Sequence, residues 1–270
     1  PLSRLNPTLF HAHPVCAGSA GGTLVHLKSR DLHELGELPG AVSPEQEQAA
    51  LDNGLRLLVK DIELRLLDND GTASAILDAH RSLATDASLR QHLLGGILTG
   101  LSCAQAIVAT SDHFCARFRD SGNSYLQERV LDVRDVCFQL LQHIYGEARF
   151  PPPGQLREAA ICLADELTPS QFLELDKAHL KGLLLRGGGT TSHTVILARS
   201  FNIPTLVGVD LAALLPWEGT QVQIDGTAGL LVVDPSPAVA RYYQQEAWVQ
   251  AQIQQQQQVW LDKPGQTEDG

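Results

Sequence analysis

The sequence contains no methionine and few aromatic residues, and none of its apolar runs is long. No run approaches the roughly 20 apolar residues that a membrane-spanning helix needs. A positively charged start followed by an apolar segment is also missing, so the sequence predicts neither a membrane span nor a signal peptide. The missing initiator indicates that it was removed or that the chain is a segment of a longer protein. The linker-like ending "WLDKPGQTEDG" favours the second interpretation.

Positive charge is scarce. The chain has 20 Lys and Arg against 31 Asp and Glu, a formal net charge of −11. This balance argues against nucleic acid or an anionic membrane surface as the main partner, and it fits an acidic surface that meets a basic protein. Apolar residues still make up 43% of the 270 residues, which is enough for a sizeable core in one large domain or two ordinary ones.

Cysteine is sparse, and its pattern excludes a disulfide framework. The five cysteines are odd in number and widely spaced, and none forms a C-x-x-C pair. Such a pattern is typical of reduced, mostly buried thiols in a cytoplasmic protein. The only other metal-like pattern is His11 and His13, which lack a cysteine or carboxylate at suitable spacing. We therefore predict no metal site and interpret "HAH" as part of an N-terminal strand.

A helical unit is predicted over residues 43–146. Ser43 is a good N-cap and Pro44 a good first helical residue, and apolar residues follow them at helical spacing. Four further amphipathic segments end at Gly146, a natural residue after a helix. These segments are "TASAILDAHRSLAT", "DASLRQHLLGGILTGL", "SCAQAIVATSDHFCARF" and "SYLQERVLDVRDVCFQLLQHIYG".

The remaining chain predicts an α/β domain. The three prolines of "FPPPG" forbid a helix and mark a boundary. Beyond them, strand-like runs alternate with short helices and end in a hairpin with an Asp225-Gly226 turn. The short strands around residues 12–27 are too few to form a domain alone. We therefore expect one α/β domain from residues 1–42 and 147–235, an inserted helical subdomain at 43–146, and a C-terminal linker helix and tail at 236–270.

The segment "RGGGTTSHTVILARSF" combines a glycine loop with a histidine at a predicted helix start. Glycines allow close backbone approach, and free N–H groups at a helix start bind anions, most often phosphate. No lysine follows the glycines, as it would in a Walker loop. His193 instead stands where a neutral imidazole can attack phosphorus. From these residues alone, a tight turn beside a surface histidine is about equally plausible. The candidate phosphate loop comprises Gly187, Gly188, Gly189, Thr191 and Ser192.

This segment closely resembles the phosphohistidine signature of enzyme I of the bacterial phosphoenolpyruvate:sugar phosphotransferase system. "ADELTPSQ", "SYLQERVLDVRDV" and "AILDAHRSLATD" resemble further motifs of that family, in the family's order. The resemblance covers about residues 12–260, and it is greatest to the enzyme I-like module of fructose-type multiphosphoryl transfer proteins. It implies a swivelling phosphohistidine α/β domain with an inserted helical bundle.

The resemblance also implies a mechanism and site residues. Phosphoenolpyruvate, bound with magnesium by a separate C-terminal domain, phosphorylates Nε2 of His193, which passes the phosphoryl group to a histidine of the phosphocarrier HPr or a fused HPr-like domain. Thr168 matches a threonine that hydrogen-bonds the active histidine, and Arg199 matches an arginine of the same motif. The helical positions matched to HPr binding are His80, Ile76, Arg129 and Asp86.

Two departures from the family pattern affect these expectations. "GTAS" stands where enzyme I places acidic residues that face HPr, so the identity of the carrier is open. The chain also shows no second motif region for phosphoenolpyruvate or magnesium. We therefore expect that this chain alone can exchange a phosphoryl group with a carrier but cannot take one from phosphoenolpyruvate. The swivelling domain of a pyruvate phosphate dikinase-like enzyme and a catalytically silent regulatory module remain alternatives. Neither explains both the helical unit and the intact His193, Thr168 and Arg199.

Overall fold

A computed structural model describes residues 8–28, 32, 37–69, 71–150, 156–187, 193–246 and 248–249. The strands of this part of the chain form one mixed sheet in the order β1-β8-β7-β3-β4-β5-β6-β2. Strands β3 to β6 are parallel to one another, and the outer pairs are antiparallel. The bounds are β1 Thr8–His11, β2 His13–Cys16, β3 Ser19–Leu27, β4 Ala160–Ala164, β5 Leu180–Leu185, β6 Thr205–Val207, β7 Gln221–Asp225 and β8 Leu230–Val233.

Among the described residues, five α-helices lie in sequence between the neighbouring strands β3 and β4. They are α1 Pro44–Leu67, α2 Gly71–Ala84, α3 Ala87–Leu98, α4 Cys103–Asp120 and α5 Ser124–Tyr145. Because Thr23 of β3 pairs directly with Ala160 of β4, the chain leaves the sheet after β3 and returns beside it. The predicted start of α1 is observed, since the Ser43 side chain accepts from Gln46 N and Pro44 follows it. The expected α/β fold with an inserted helical bundle is confirmed.

Short helices follow the parallel strands. They are α6 Pro169–Glu174, α7 His193–Ser200 and α8 Leu211–Leu214, the last of which continues into a 3-10 turn at Leu215–Trp217. The sequence pattern does not indicate α8, because four residues are too few to reveal a period. The chain is helical again over 237–246 and 248–249, with Ser236 Oγ accepting from Val239 N. The triple proline, the loop residues 188–192 and the glutamine run lie outside the described residues.

The helical unit packs against the α/β domain through α2. Ala73 and Ile76 of α2 belong to the same buried cluster as Val195 and Ala198 of α7. The loops after β4 and β5 leave the carboxyl ends of parallel strands, which is the edge where α/β folds commonly bind ligands. The fold therefore brings α2 and α5 of the bundle to the ligand-binding edge of the sheet. None of the described helices is long and apolar enough to cross a membrane.

Candidate active site

His193 is the first residue of α7 and lies at the boundary between the two units. Its side chain is 28% exposed, and its Nδ1 lies 3.6 Å from Oδ1 of Asp132 on α5. The first turn of α7 is held in place by Thr194, whose Oγ1 donates to the carbonyl oxygen of Leu167 at 2.5 Å. Leu167 directly precedes Thr168, so this bond fixes His193 beside the start of α6.

Asp132 connects two histidines. Its Oδ1 lies 3.3 Å from Nε2 of His80 as well as near His193, and its side chain is only 1% exposed. An ionised carboxylate only accepts hydrogen bonds, so each ring turns an N–H towards it. The 3.6 Å separation from His193 exceeds a direct hydrogen bond, as is common for catalytic pairs without substrate. A neutral His193 ring that keeps its proton on Nδ1, towards Asp132, has its lone pair on Nε2.

The second oxygen of Asp132 is less well satisfied. Among the described residues, Oδ2 of Asp132 is buried without a hydrogen-bond partner. The Arg129 side chain, one helical turn earlier on α5, places its Nε 3.9 Å from this oxygen. A buried carboxylate with an unused acceptor is costly unless nearby charges compensate. Arg129 therefore supports the charge of Asp132 electrostatically.

The charge of Asp132 is stable over the whole physiological range. Burial raises the pKa of its carboxyl. The polar and charge interactions with the nearby His193 ring, together with the hydrogen bond and charge interaction with His80, outweigh this effect and lower the pKa from 3.8 to about 2. A depressed pKa means that the carboxylate stabilises the folded state above pH 3.8 and that this contribution is lost as pH falls through about 2. The contribution is on the order of 2 kcal/mol.

We expect this shift to be measurable directly. In a carbon-13 NMR titration, the Asp132 carboxyl, assigned by its absence from the Asp132→Asn spectrum, should remain ionised at pH 3.8 and titrate only near pH 2. A midpoint at or above 3.8 would contradict the arrangement of two N–H groups facing one carboxylate.

A second set of buried side chains orients His80. Ser170 Oγ, at the start of α6, lies 3.4 Å from Nδ1 of His80 and accepts from Nε2 of Gln139 at 2.9 Å. The backbone N–H of Ser170 donates to Oδ2 of Asp135 at 2.8 Å. Because His80 gives its Nε2–H to Asp132, its Nδ1 accepts from the Ser170 hydroxyl. Gln139 and Asp135 lie on α5, so this network ties α6 to the helical bundle.

The other predicted catalytic residues have structural partners. Thr168 Oγ1 caps α6 by accepting from Gln171 N, and its predicted hydrogen bond to His193 stays a prediction. Arg199 lies six residues further along α7, about 9 Å of helical rise from His193. Its Nε donates to the carbonyl oxygen of Val15 at 2.8 Å. The structure thus directs Arg199 to β2 and does not bring it to His193.

The phosphate loop is described only at Gly187, whose N–H donates to the carbonyl oxygen of Asp165 at 2.9 Å. A Cβ at this position would meet only ordinary contacts, the nearest at 3.5 Å, so the described contacts do not require glycine there. Gly188, Gly189, Thr191 and Ser192 lie outside the described residues.

Two of the residues assigned to carrier binding are corrected. His80 has no exposed surface and Ile76 is 5% exposed, because α2 turns this face towards α7 and α5. In this arrangement neither side chain can contact a carrier. Asp86 is exposed but acts as the N-cap of α3. Its hydrogen bond from the Ser88 side chain, with further bonds from Leu89 N and Ser88 N, lowers the pKa of its carboxyl.

The central position of Asp132 and the contact of Ser170 with His80 were not predicted from the sequence. The available signal was the spacing on α5, where Asp132 follows Arg129 by one turn and is therefore on the same face. Ser170 was part of the quoted "LTPS" motif, but nothing in its spacing reveals that it faces His80. Within the described ranges, no group of three or more His, Cys, Asp or Glu residues could hold a metal ion.

The fold and the site define a known class of protein. Residues 11–129 match the family described as PEP-utilising enzyme, N-terminal, and residues 156–229 match the PEP-utilising enzyme mobile domain. The chain therefore carries the enzyme I-like N-terminal and mobile domains of this family, the latter being the phosphohistidine swivel domain.

Named relatives agree with this assignment. The chain is 66% identical to multiphosphoryl transfer protein 2 of Escherichia coli K12, over 100% of this chain and 32% of the relative. It is 37% identical to multiphosphoryl transfer protein 1 of the same strain, over 90% and 29%. It is 33% identical to the phosphoenolpyruvate-protein phosphotransferase of Bacillus subtilis strain 168, over 70% and 33%. The chain thus spans about a third of the length of these relatives.

Solved structures confirm the fold. A solution structure of enzyme I superposes with a TM-score of 0.66 at 24% identity, covering 89% of this chain and 99% of the other. The N-terminal domain of Enzyme 1 - Nitrogen superposes with a TM-score of 0.59 at 26% identity, covering 87% and 98%. The helical bundle and the mixed sheet therefore occur together in this class.

Proposed function

We propose that His193 carries a phosphoryl group in a phosphoenolpyruvate-dependent sugar phosphotransferase system. The Nε2 lone pair attacks the phosphorus of phosphoenolpyruvate, an N–P bond forms, and the P–O bond breaks with its electron pair leaving on the enolate oxygen. A histidine nitrogen of a phosphocarrier then attacks the same phosphorus. The N–P bond breaks, and its electron pair returns to Nε2 of His193.

The observation that carries this proposal is the position of the Asp132 carboxylate against Nδ1 of His193, 3.6 Å away. Attack by Nε2 leaves a positive charge on an imidazole ring that keeps its Nδ1 proton. A fixed carboxylate beside that N–H stabilises the developing cation and holds the reactive tautomer, as an aspartate does in a catalytic triad. Because Asp132 is already ionised and desolvated, little reorganisation is needed during transfer.

The donor side of the reaction depends on parts of the relatives that lie outside this chain. We place phosphoenolpyruvate and magnesium in their C-terminal region, and His193 must approach that region to be phosphorylated. Magnesium would neutralise charge on the transferring phosphoryl group. The residues of this chain supply the nucleophile, its tautomer and the carboxylate that stabilises the imidazolium. The buried free thiols and the relationship to phosphotransferase proteins favour a cytoplasmic location.

The acceptor is HPr or a fused HPr-like domain, and it docks on the helical subdomain at 43–146. The net charge of −11 favours a basic carrier. The first turn of α2 has no acidic residue, so local charge at Gly71–Ser74 contributes nothing to recognition. With His80 and Ile76 buried, the predicted contacts that remain accessible are Arg129 and Asp86. A carrier of a fructose-type multiphosphoryl protein fits this weaker local field better than a standard HPr.

Phosphoryl uptake tests the proposal without phosphoenolpyruvate. The chain is mixed with HPr already phosphorylated on its histidine and then analysed by intact mass. We expect the gain of one phosphoryl group, labile in acid and stable in base, which peptide mapping places on His193. Unphosphorylated HPr is the control. No gain in mass from either a standard or a fructose-type phosphocarrier would favour the catalytically silent binding module.

A further inference from the structure

A cleft of about 260 Å³ opens beside His193. Arg119 and Arg134 line it from the helical bundle, and Glu166 and Pro169 line it from the α/β domain. The Nδ1 edge of the His193 ring faces a carboxyl that is almost completely buried. His193 itself lines the cleft, and Nε2 is the ring nitrogen that the proposed function phosphorylates.

The two arginines converge on one wall of the cleft. Arg119 is on α4 and Arg134 is on α5, and both side chains line the same cleft as His193. Arg134 is half a turn beyond Asp132 on α5, and its Nη1 lies 3.5 Å from Oε2 of Glu166. Glu166 stands in the loop between β4 and α6, so this ion pair crosses from the bundle to the α/β domain.

A phosphoryl group on Nε2 changes the charge balance in this space. It carries about −1.5 to −2 charges at neutral pH and three strong acceptor oxygens. The Glu166 carboxylate repels such a group, whereas a guanidinium binds it in a two-pronged geometry. The dianionic phosphoryl group has more charge and more acceptors than the Glu166 carboxylate, so the Arg134 guanidinium favours the phosphoryl group.

We propose that Arg134 binds the phosphoryl group on His193 and that Glu166 holds Arg134 in place while His193 is unphosphorylated. Phosphorylation exchanges the Glu166 carboxylate for phosphoryl oxygens and so breaks one ion pair between the bundle and the α/β domain. Arg119 adds a second positive charge to the same wall. This inference rests on the proposed function and adds the binding side of the site.

The equilibrium constant for phosphorylation of His193 tests the role of Arg134, and it does not depend on how well the carrier docks. The chain is equilibrated with known ratios of phosphorylated and unphosphorylated HPr, and the phosphorylated fraction is read by intact mass. The equilibrium constant depends only on the free energies of the end states, so a changed carrier interface does not alter it. We expect Arg134→Gln to lower the constant about 10- to 100-fold, since hydrogen bonds to charged groups are the strong ones.

Companion variants separate this role from a merely structural one. Arg134→Lys keeps the charge and should lie between wild type and Arg134→Gln. Glu166→Gln removes the competing anion and should raise the constant. The control Arg90→Gln breaks an exposed ion pair with Asp52 and should leave the constant unchanged. Circular dichroism and phosphorus-31 NMR of the phosphorylated forms check folding and report the environment of the phosphoryl group.

The outcomes distinguish this inference from the function on which it rests. If wild type takes up no phosphoryl group, the proposed function fails. If wild type is phosphorylated and the folded Arg134→Gln variant shows the same equilibrium constant and phosphorus-31 shift, the function stands and the role of Arg134 is overturned. A lower constant in Arg134→Gln together with a higher one in Glu166→Gln supports the exchange.

Discussion

His193→Ala is expected to abolish phosphoryl uptake completely. No other described histidine combines an N–H facing a buried carboxylate with a second nitrogen at an open cleft. His80 has the same carboxylate partner, but it has no exposed surface and its Nδ1 faces Ser170. Incubation with phosphorylated HPr, followed by intact mass, should show no gain for the variant. The fold should survive, because the His193 side chain is partly exposed at a helix end.

His179→Ala is the matched control for that experiment. His179 pairs with Asp176 and directly precedes β5, whereas His193 follows the loop at the other end of the same strand. Six strand residues separate these ends by about 20 Å. The control should be phosphorylated as wild type is. If the His193→Ala variant still gains a phosphoryl group and its circular dichroism spectrum is unchanged, His193 is not the phosphorylated residue.

Asp132→Asn is expected to slow phosphoryl uptake about 10²- to 10⁴-fold, the range over which acid–base and tautomer control contribute to catalysis. The substitution keeps the shape of the side chain but removes the charge that stabilises the imidazolium. Its amide can also donate a hydrogen bond to Nδ1 of His193, which would stabilise the tautomer that carries its proton on Nε2 and has no lone pair there. Rapid-quench measurement of uptake from phosphorylated HPr checks the rate.

The exposed Asp52→Asn serves as the control for Asp132→Asn, since its partner Arg90 lies on the bundle surface. Nitrogen-15 NMR of the histidine rings measures the tautomer of His193 independently. Wild type should show His193 protonated at Nδ1, and the Asn variant should lose that preference. Uptake at the wild-type rate with an unchanged tautomer would exclude Asp132 as the group that orients His193.

The sequence by itself determined the architecture and predicted the nucleophile. Helical periodicity, Ser43-Pro44 and Gly146 predicted the bundle between two sets of strands, because caps and apolar spacing act locally. The glycine loop before His193 pointed to phosphate for the same reason, since backbone freedom and a helix start are properties of neighbouring residues. The resemblance to enzyme I then indicated which phosphate chemistry to expect, namely phosphorylation of His193 itself.

Only the tertiary structure decided which residues form the buried polar network that ends at His193. Asp132, His80 and Ser170 lie on three different helices, and they meet because α2 and α6 pack on α5. Sequence spacing carries no information about such contacts. The same packing explains why His80 and Ile76 are buried and not, as predicted, available to a carrier. A helical pattern alone cannot tell whether such residues lie on the outer surface or at an interface between units. It also directs Arg199 to β2, and it places Arg134 and Glu166 on opposite sides of one cleft, although 31 positions separate them in the chain.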